Sequence, residues 1–202
     1  MSMLLNALAK QLGGPMMGQL AGQIGASETQ TGAAVSTALP MLVSALARNA
    51  ASTQGAESLG AALARDHDGS VLDNISGLLA GQATGKQANG AGILGHLLGA
   101  QQGRVEQAVS TGSGLDAGSV AKLLPMLAPI VMGMLGKTKK EQGLDVGGLM
   151  SMLGGERDAL EQQTPGMAGM VGQLLDADGD GSVADDLLKM GGGMLGGLLG
   201  RK

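Results

Sequence analysis

Three carboxylates alternate along a short turn near the C-terminal end of the sequence: Asp176, Asp178 and Asp180. Gly181 at the sixth place and Ser182 at the seventh complete a match to the opening of an EF-hand loop. In such a loop, alternate side chains and one backbone carbonyl bind Ca²⁺, and the Gly permits the sharp bend. The spacing therefore predicts a calcium-binding turn, flanked on both sides by apolar segments.

The end of this loop departs from the EF-hand pattern. The twelfth place holds Leu187 instead of the usual bidentate Glu, so Asp185 or Asp186 would have to close a shortened loop. Calcium binding is accordingly expected to be weak, and the same residues also fit a capping box with Asx turns that needs no ion. Both interpretations stay open for the candidate ligands, which are Asp176, Asp178, Asp180, Ser182, Asp185 and Asp186.

A similar acidic turn lies earlier in the chain and includes Asp66, Asp68 and Asp73. Its first ligand place holds Ala64, so helix capping by these three Asp residues is favoured over calcium, and a second capping box is predicted to begin at Ser70.

The sequence contains two His residues, His67 within this turn and His96 in an apolar segment. A His beside carboxylates could act as a base or bind a metal, but a turn residue and a half-buried helix residue are the simpler interpretations. The chain has no Cys, and its Ser residues lack a nucleophile-elbow pattern. We therefore expect no enzyme activity.

The composition is unusual because 202 residues contain no Phe, Tyr or Trp but 38 Gly. The net charge of −4 argues against nucleic-acid binding, which needs a basic face. Lys137, Lys139 and Lys140 are interpreted as a solvated helix end. The N-terminus lacks a basic region, and the apolar run 123–135 is shorter than a membrane span, so a cytoplasmic location is expected.

Helical periodicity dominates, and strand alternation is absent, so the fold is predicted to be all-α, with short helices separated by Gly turns. Ser27 and Gln30 predict a capping box, and Pro40 is expected to kink that helix or to start a new one. Frequent Gly is expected to let helix backbones approach closely. The predicted helices begin with a Leu-rich segment that Gly13 stops and continue over 16–24, 27–39, 40–47 and 56–65.

Internal similarity predicts diverged tandem helical modules. Leu-Pro-Met-Leu occurs at 39–42 and 124–127, the acidic turn 66–74 recurs at 178–186, and the segment 92–107 resembles 148–162. These patterns predict a helical domain over 1–140 that contains the repeat. A helical C-terminal extension over 141–202 carries the acidic turn and a Gly, Met and Leu tail.

Three motifs together resemble the bacterial "domain of unknown function 937" family, also called YidB-like: residues 65–70, 90–97 and 123–129. The resemblance extends over much of residues 1–140. It implies a small α-helical bacterial protein, but it is linked to no established activity and supplies no catalytic residues.

Taken together, these features predict a non-enzymatic protein that acts through self-assembly, as a homo-oligomer, or by binding another protein. The alternatives are a calcium-binding interaction module and membrane-surface association through the tail 189–202. For this tail, self-association or disorder is favoured over membrane contact.

Overall fold

The computed structural model describes residues 2–83 and 85–163, and all regular structure within these residues is helical, which confirms the all-α prediction. Short 3₁₀ turns at Ser70–Asn74, Lys86–Ala88 and Gly99–Gln101 connect some of the helices. The α-helices in chain order are α1 (Met3–Leu12), α2 (Pro15–Ile24), α3 (Glu28–Asn49), α4 (Thr53–Asp66), α5 (Ile75–Leu79), α6 (Gly90–Leu98), α7 (Gln102–Ser113), α8 (Ala117–Glu141) and α9 (Val146–Gln163).

Side-chain caps start several of these helices. Ser27 Oγ accepts a hydrogen bond from the Gln30 amide at 3.2 Å, which confirms the cap predicted for α3. Asp116 caps α8 in the same way, by accepting from the Ser119 amide at 3.0 Å. These bonds satisfy amide groups that a helix N-terminus would otherwise leave without partners.

Helix α3 continues through Pro40, so the expectation that a new helix starts there was wrong. Proline lacks an N–H, and the carbonyl of Ser36 therefore receives no hydrogen bond from the residue four positions later. Ser36 is exposed, so water can satisfy this carbonyl without breaking the helix. Helix α8 likewise runs through Pro125 and Pro129.

The two long helices, α3 and α8, form the centre of the molecule. Ten consecutive residues of α8, 127–136, are buried, so this part of the helix is enclosed on every side. Helix α3 is covered mainly by α7 and α9 of the other half of the sequence, whereas α8 packs against α6 and α7 of its own half and against α1, α2 and α4 of the other. Both long helices therefore make contacts with helices from the other half of the sequence.

The order of helix lengths supports the predicted tandem organisation. Helices α1 to α4 contain 10, 10, 22 and 14 residues, and α6 to α9 contain 9, 12, 25 and 18. The Leu-Pro-Met-Leu motif lies inside the long helix of each half. The proposed similarity of 92–107 to 148–162 has no such counterpart, because the first segment is broken at Gly99 and the second is continuous within α9.

Helix α9 packs on α3 and α4, with Leu149 and Leu153 fully buried in the same core. It follows a turn at residues 142–145, close to the predicted domain boundary at 140. The Lys cluster forms the predicted end of α8, where Lys139 and Lys140 occupy the last turn and Lys137 lies 3.9 Å from Glu141.

Helices α3 and α8 are long and apolar enough to cross a membrane by length and composition. Helix α8 reaches this length because it extends beyond the apolar run at both ends. Length and composition are weak evidence for a membrane span here, since buried core helices meet the same criteria. The most apolar parts of the two helices are 61% and 67% buried inside the packed chain.

Candidate functional site

The predicted calcium turn lies outside the described residues, as do all six of its candidate ligands: Asp176, Asp178, Asp180, Ser182, Asp185 and Asp186. The calcium hypothesis therefore stays a prediction. The tail 189–202 also lies outside the described part of the chain.

The earlier acidic turn lies within the described residues, and its carboxylates bond to different partners. Asp66 ends α4 and pairs with Arg65 at 2.7 Å, and the hydrogen bond from Arg65 lowers the pKa of this carboxyl. Asp68 accepts from the Ser70 amide at 3.1 Å, and hydrogen bonds from Ser70 lower its pKa. No group of three metal-ligating side chains occurs within residues 2–83 and 85–163.

The capping predictions for Ser70, Asp66 and Asp73 were wrong. Gly69 precedes the 3₁₀ turn, and Ser70 lies inside that turn and does not cap it. Asn74 caps α5 by accepting from the Gly77 amide at 2.9 Å, a role that neither Asp66 nor Asp73 takes. Of Asp66, Asp68 and Asp73, only Asp68 accepts a hydrogen bond from the amide at the start of the 3₁₀ turn. The chain turns too tightly here for a full helical N-terminus, so the carboxylate acts through an Asx turn.

His67 is buried beneath this turn, and its Nδ1 has no hydrogen-bond partner among the described residues. Burial lowers the pKa of His67, with a smaller opposing effect from the Asp66 carboxylate. Desolvation disfavours the charged ring, so neutral imidazole is stabilised here. His96 is exposed on α6, away from this environment.

Helix α8 holds the acidic turn at very close range. A Cβ at Gly136 would overlap the backbone carbonyl oxygen of His67, so only Gly allows this approach. This is the close packing at Gly that the composition predicts. The turn is therefore fixed to the central helix, which supports a structural role for its carboxylates.

Glu156 on α9 forms a contact that sequence reasoning missed. Its side chain is buried and accepts hydrogen bonds from the amides of Met3 at 2.9 Å and Leu4 at 3.1 Å, and from the hydroxyl of Ser2. A carboxylate at this position satisfies the first amides of α1 and interacts favourably with the helix dipole. Nothing in the local sequence around Glu156 indicates a partner more than 150 residues away.

A concave apolar surface, here called the Pro40 groove, opens between α1, α2 and α3. Its volume is about 450 Å³. Leu5, Ala9 and Leu12 of α1 form one wall, and Val35, Leu39 and Pro40 of α3 form the other, as helical spacing places them on facing sides. The remaining lining residues are Asn6, Met17, Gly32 and Ser36.

Helix α6 meets α8 at Pro125, which corresponds to Pro40, whereas Ala117 and Ala121, which correspond to Gly32 and Ser36 of the groove, are exposed. Helix α6 packs along α8, and its first residue, Gly90, lies so close to Pro125 that a Cβ would overlap the Pro125 carbonyl oxygen. Pro129 lacks the N–H that would bond this carbonyl within α8, so the oxygen is left for the approaching backbone. Around Pro40 of α3, where the same four-residue motif occurs, the groove remains open.

Comparisons with known proteins identify a family and nothing more specific. A family model described as a bacterial protein of unknown function, DUF937, matches residues 6–138 of the 202. The match runs from within α1 to within α8 and includes the acidic turn and every lining residue of the Pro40 groove except Leu5. No curated protein and no solved structure matches the chain.

Proposed function

We propose that this chain, which belongs to the DUF937 family of bacterial proteins of unknown function, acts by protein–protein contact and self-assembly instead of by catalysis. The Pro40 groove is the observation that carries this proposal. Its two walls are helix faces of apolar residues, an arrangement that suits an apolar helix laid between them. On α8, such a helix, α6, packs at Pro125, the residue that corresponds to Pro40.

A second copy of this chain is the partner that the composition favours. Only 15% of the residues are charged, whereas Gly and the aliphatic residues are abundant, so the chain itself supplies apolar, Gly-rich helices of the kind that α6 represents. Gly-rich helices are marginal alone and depend on burial against a partner surface.

The solution mass tests this function. Ala9 and Ser36 line the groove and are exposed, so Ala9→Glu and Ser36→Lys place charges in it without disturbing the core. Light scattering after size exclusion, with refractive-index detection, measures the mass over a dilution series.

The full chain is expected at a multiple of 19.9 kDa at the concentrated end of the series, and both groove variants at 19.9 kDa. The matched control is Ala61→Glu, an exposed position on α4 outside the groove, which should behave as the unaltered chain. A mass of 19.9 kDa for the unaltered chain at every concentration would contradict the proposal.

A further inference from the structure

The sequence of helix α6 recurs in the C-terminal tail. Residues 191–200 read Gly-Gly-Gly-Met-Leu-Gly-Gly-Leu-Leu-Gly, and residues 90–99 read Gly-Ala-Gly-Ile-Leu-Gly-His-Leu-Leu-Gly, so seven of ten positions are identical. The same acidic sequence, Asp-Gly-Ser-Val, precedes both segments, at 68–71 and at 180–183. The two elements therefore recur together and in the same order.

The three differences preserve the face that α6 buries. Ile93, which is buried, corresponds to Met194, so an apolar side chain stays on this face. Ala91 and His96 correspond to Gly192 and Gly197, and both lie exposed on α6. The buried residues Leu94, Leu97 and Leu98 are retained without change as Leu195, Leu198 and Leu199.

The Pro40 groove fits a helix of this length. From Gly32 to Pro40 it follows α3 for about 12 Å, and ten helical residues extend about 15 Å. Its lining is apolar apart from Asn6 and Ser36, so it suits a segment that carries no charged side chain between residues 191 and 200. The α6 site on α8 includes Pro125 and this groove includes Pro40, which occupy the same place in the Leu-Pro-Met-Leu motif.

We propose that residues 191–200 occupy the Pro40 groove as a helix, with Met194, Leu195, Leu198 and Leu199 facing α1 and α3. This inference rests on the proposed function and names the segment that the groove binds. The 27 residues 164–190 can span up to ~90 Å when extended, so the segment reaches the groove of its own copy. Tethering favours that groove in dilute solution, and exchange of segments between copies at high concentration joins them into assemblies.

Complementation between two full-length variants tests the pairing. One variant combines Ala9→Glu with Ser36→Lys, which blocks the groove and leaves the segment intact. The other combines Leu195→Asp with Leu198→Asp, which leaves the groove intact and makes the segment polar. Each variant alone is expected at 19.9 kDa, and their mixture at twice this mass, because one intact groove meets one intact segment.

The matched control for the segment combines Gly192→Asp with Gly197→Asp. It introduces the same two charges at positions whose counterparts on α6 are exposed, so it should assemble like the unaltered chain. A mixture that remains at 19.9 kDa would overturn the proposal, as would equal loss of assembly in the control.

Thiol labelling provides a second test, since the chain contains no Cys. The thiol introduced by Ser36→Cys should react about tenfold more slowly in the full chain than with Leu195→Asp and Leu198→Asp added, as expected for roughly 90% occupancy of the groove. The thiol introduced by Ser58→Cys, exposed on α4, should react equally in both. Equal rates at position 36 would overturn the proposal.

The two proposals fail differently. If the groove substitutions abolish assembly and the Leu195 and Leu198 substitutions do not, the segment is not the occupant, but self-assembly through the groove stands. If neither pair of substitutions changes the mass or the labelling rate, both proposals are wrong.

Discussion

Glu156 is the residue that joins the two ends of the described chain, and its removal should be costly. In Glu156→Ala, the amides of Met3 and Leu4 lose a charged acceptor in a buried site. We expect the free energy of unfolding to fall by about 2–3 kcal/mol, as for buried hydrogen bonds to a charged group.

Urea unfolding followed by far-ultraviolet circular dichroism measures this loss. The control is Glu161→Ala on the same helix, where an exposed pair with Arg157 should contribute less than about 1 kcal/mol. Equal stability of the two variants would show that the Glu156 contacts are energetically unimportant.

His67 should make the stability of the folded chain depend on pH. Burial lowers the pKa of His67 in the folded state, so the unfolded chain binds the proton more readily. Stability is therefore retained above the unfolded pKa of about 6.5 and falls as the pH drops below it, by at most about 1.4 kcal/mol per pH unit for one proton.

The thermal unfolding midpoint between pH 7.5 and pH 5 measures this dependence. The fall should be reduced in His67→Gln and kept in His96→Gln, because His96 is exposed. An identical pH profile for the unaltered chain and His67→Gln would rule out His67 as the cause. The lowered pKa values of Asp66 and Asp68 add losses only at more acidic pH.

At the scale of elements, the contact between α8 and the acidic turn depends on Gly136. A Cβ in Gly136→Ala would overlap the backbone carbonyl of His67, and neither backbone can move without disturbing the buried centre of α8. We expect a loss of about 1–3 kcal/mol in the free energy of unfolding, typical of overpacking.

The control for this variant is Gly154→Ala, in an exposed part of α9 with open space around it. That substitution should stabilise the chain by about 0.5–1 kcal/mol, since Ala is the better helix former. Denaturant unfolding of both variants should therefore shift in opposite directions. A stabilising Gly136→Ala would show that the turn is not held closely against α8.

At the scale of the whole molecule, the two halves should unfold together. Helix α3 is covered mainly by α7 and α9, α8 packs against α1, α2 and α4 as well as α6, and α9 holds the start of α1 through Glu156. Neither half keeps its core when the other unfolds, so we expect one cooperative transition by circular dichroism and by hydrogen exchange. Two separate transitions would show that the halves are independent folding units.

Local sequence signals predicted the helices well, because their causes lie within a few residues. The cap at Ser27 and the Gly turn after α1 depend on neighbouring amides and on backbone freedom. The fate of Pro40 was predicted less well, since an exposed carbonyl at Ser36 lets α3 continue. The acidic turn was predicted only in part, because the chain forms a tight 3₁₀ turn there. Asp68 and Asn74 accept the capping hydrogen bonds, whereas Ser70 lies inside the turn.

The sequence by itself determined the helical fold class and the family, since periodicity, capping and motifs are local properties of the chain. Only the tertiary structure decided that α6 covers α8 while the Pro40 groove on α3 stays open, and that Glu156 binds the start of α1. These contacts join residues far apart in the chain. Their geometry is set by how closely whole helices pack, which no short stretch of sequence specifies.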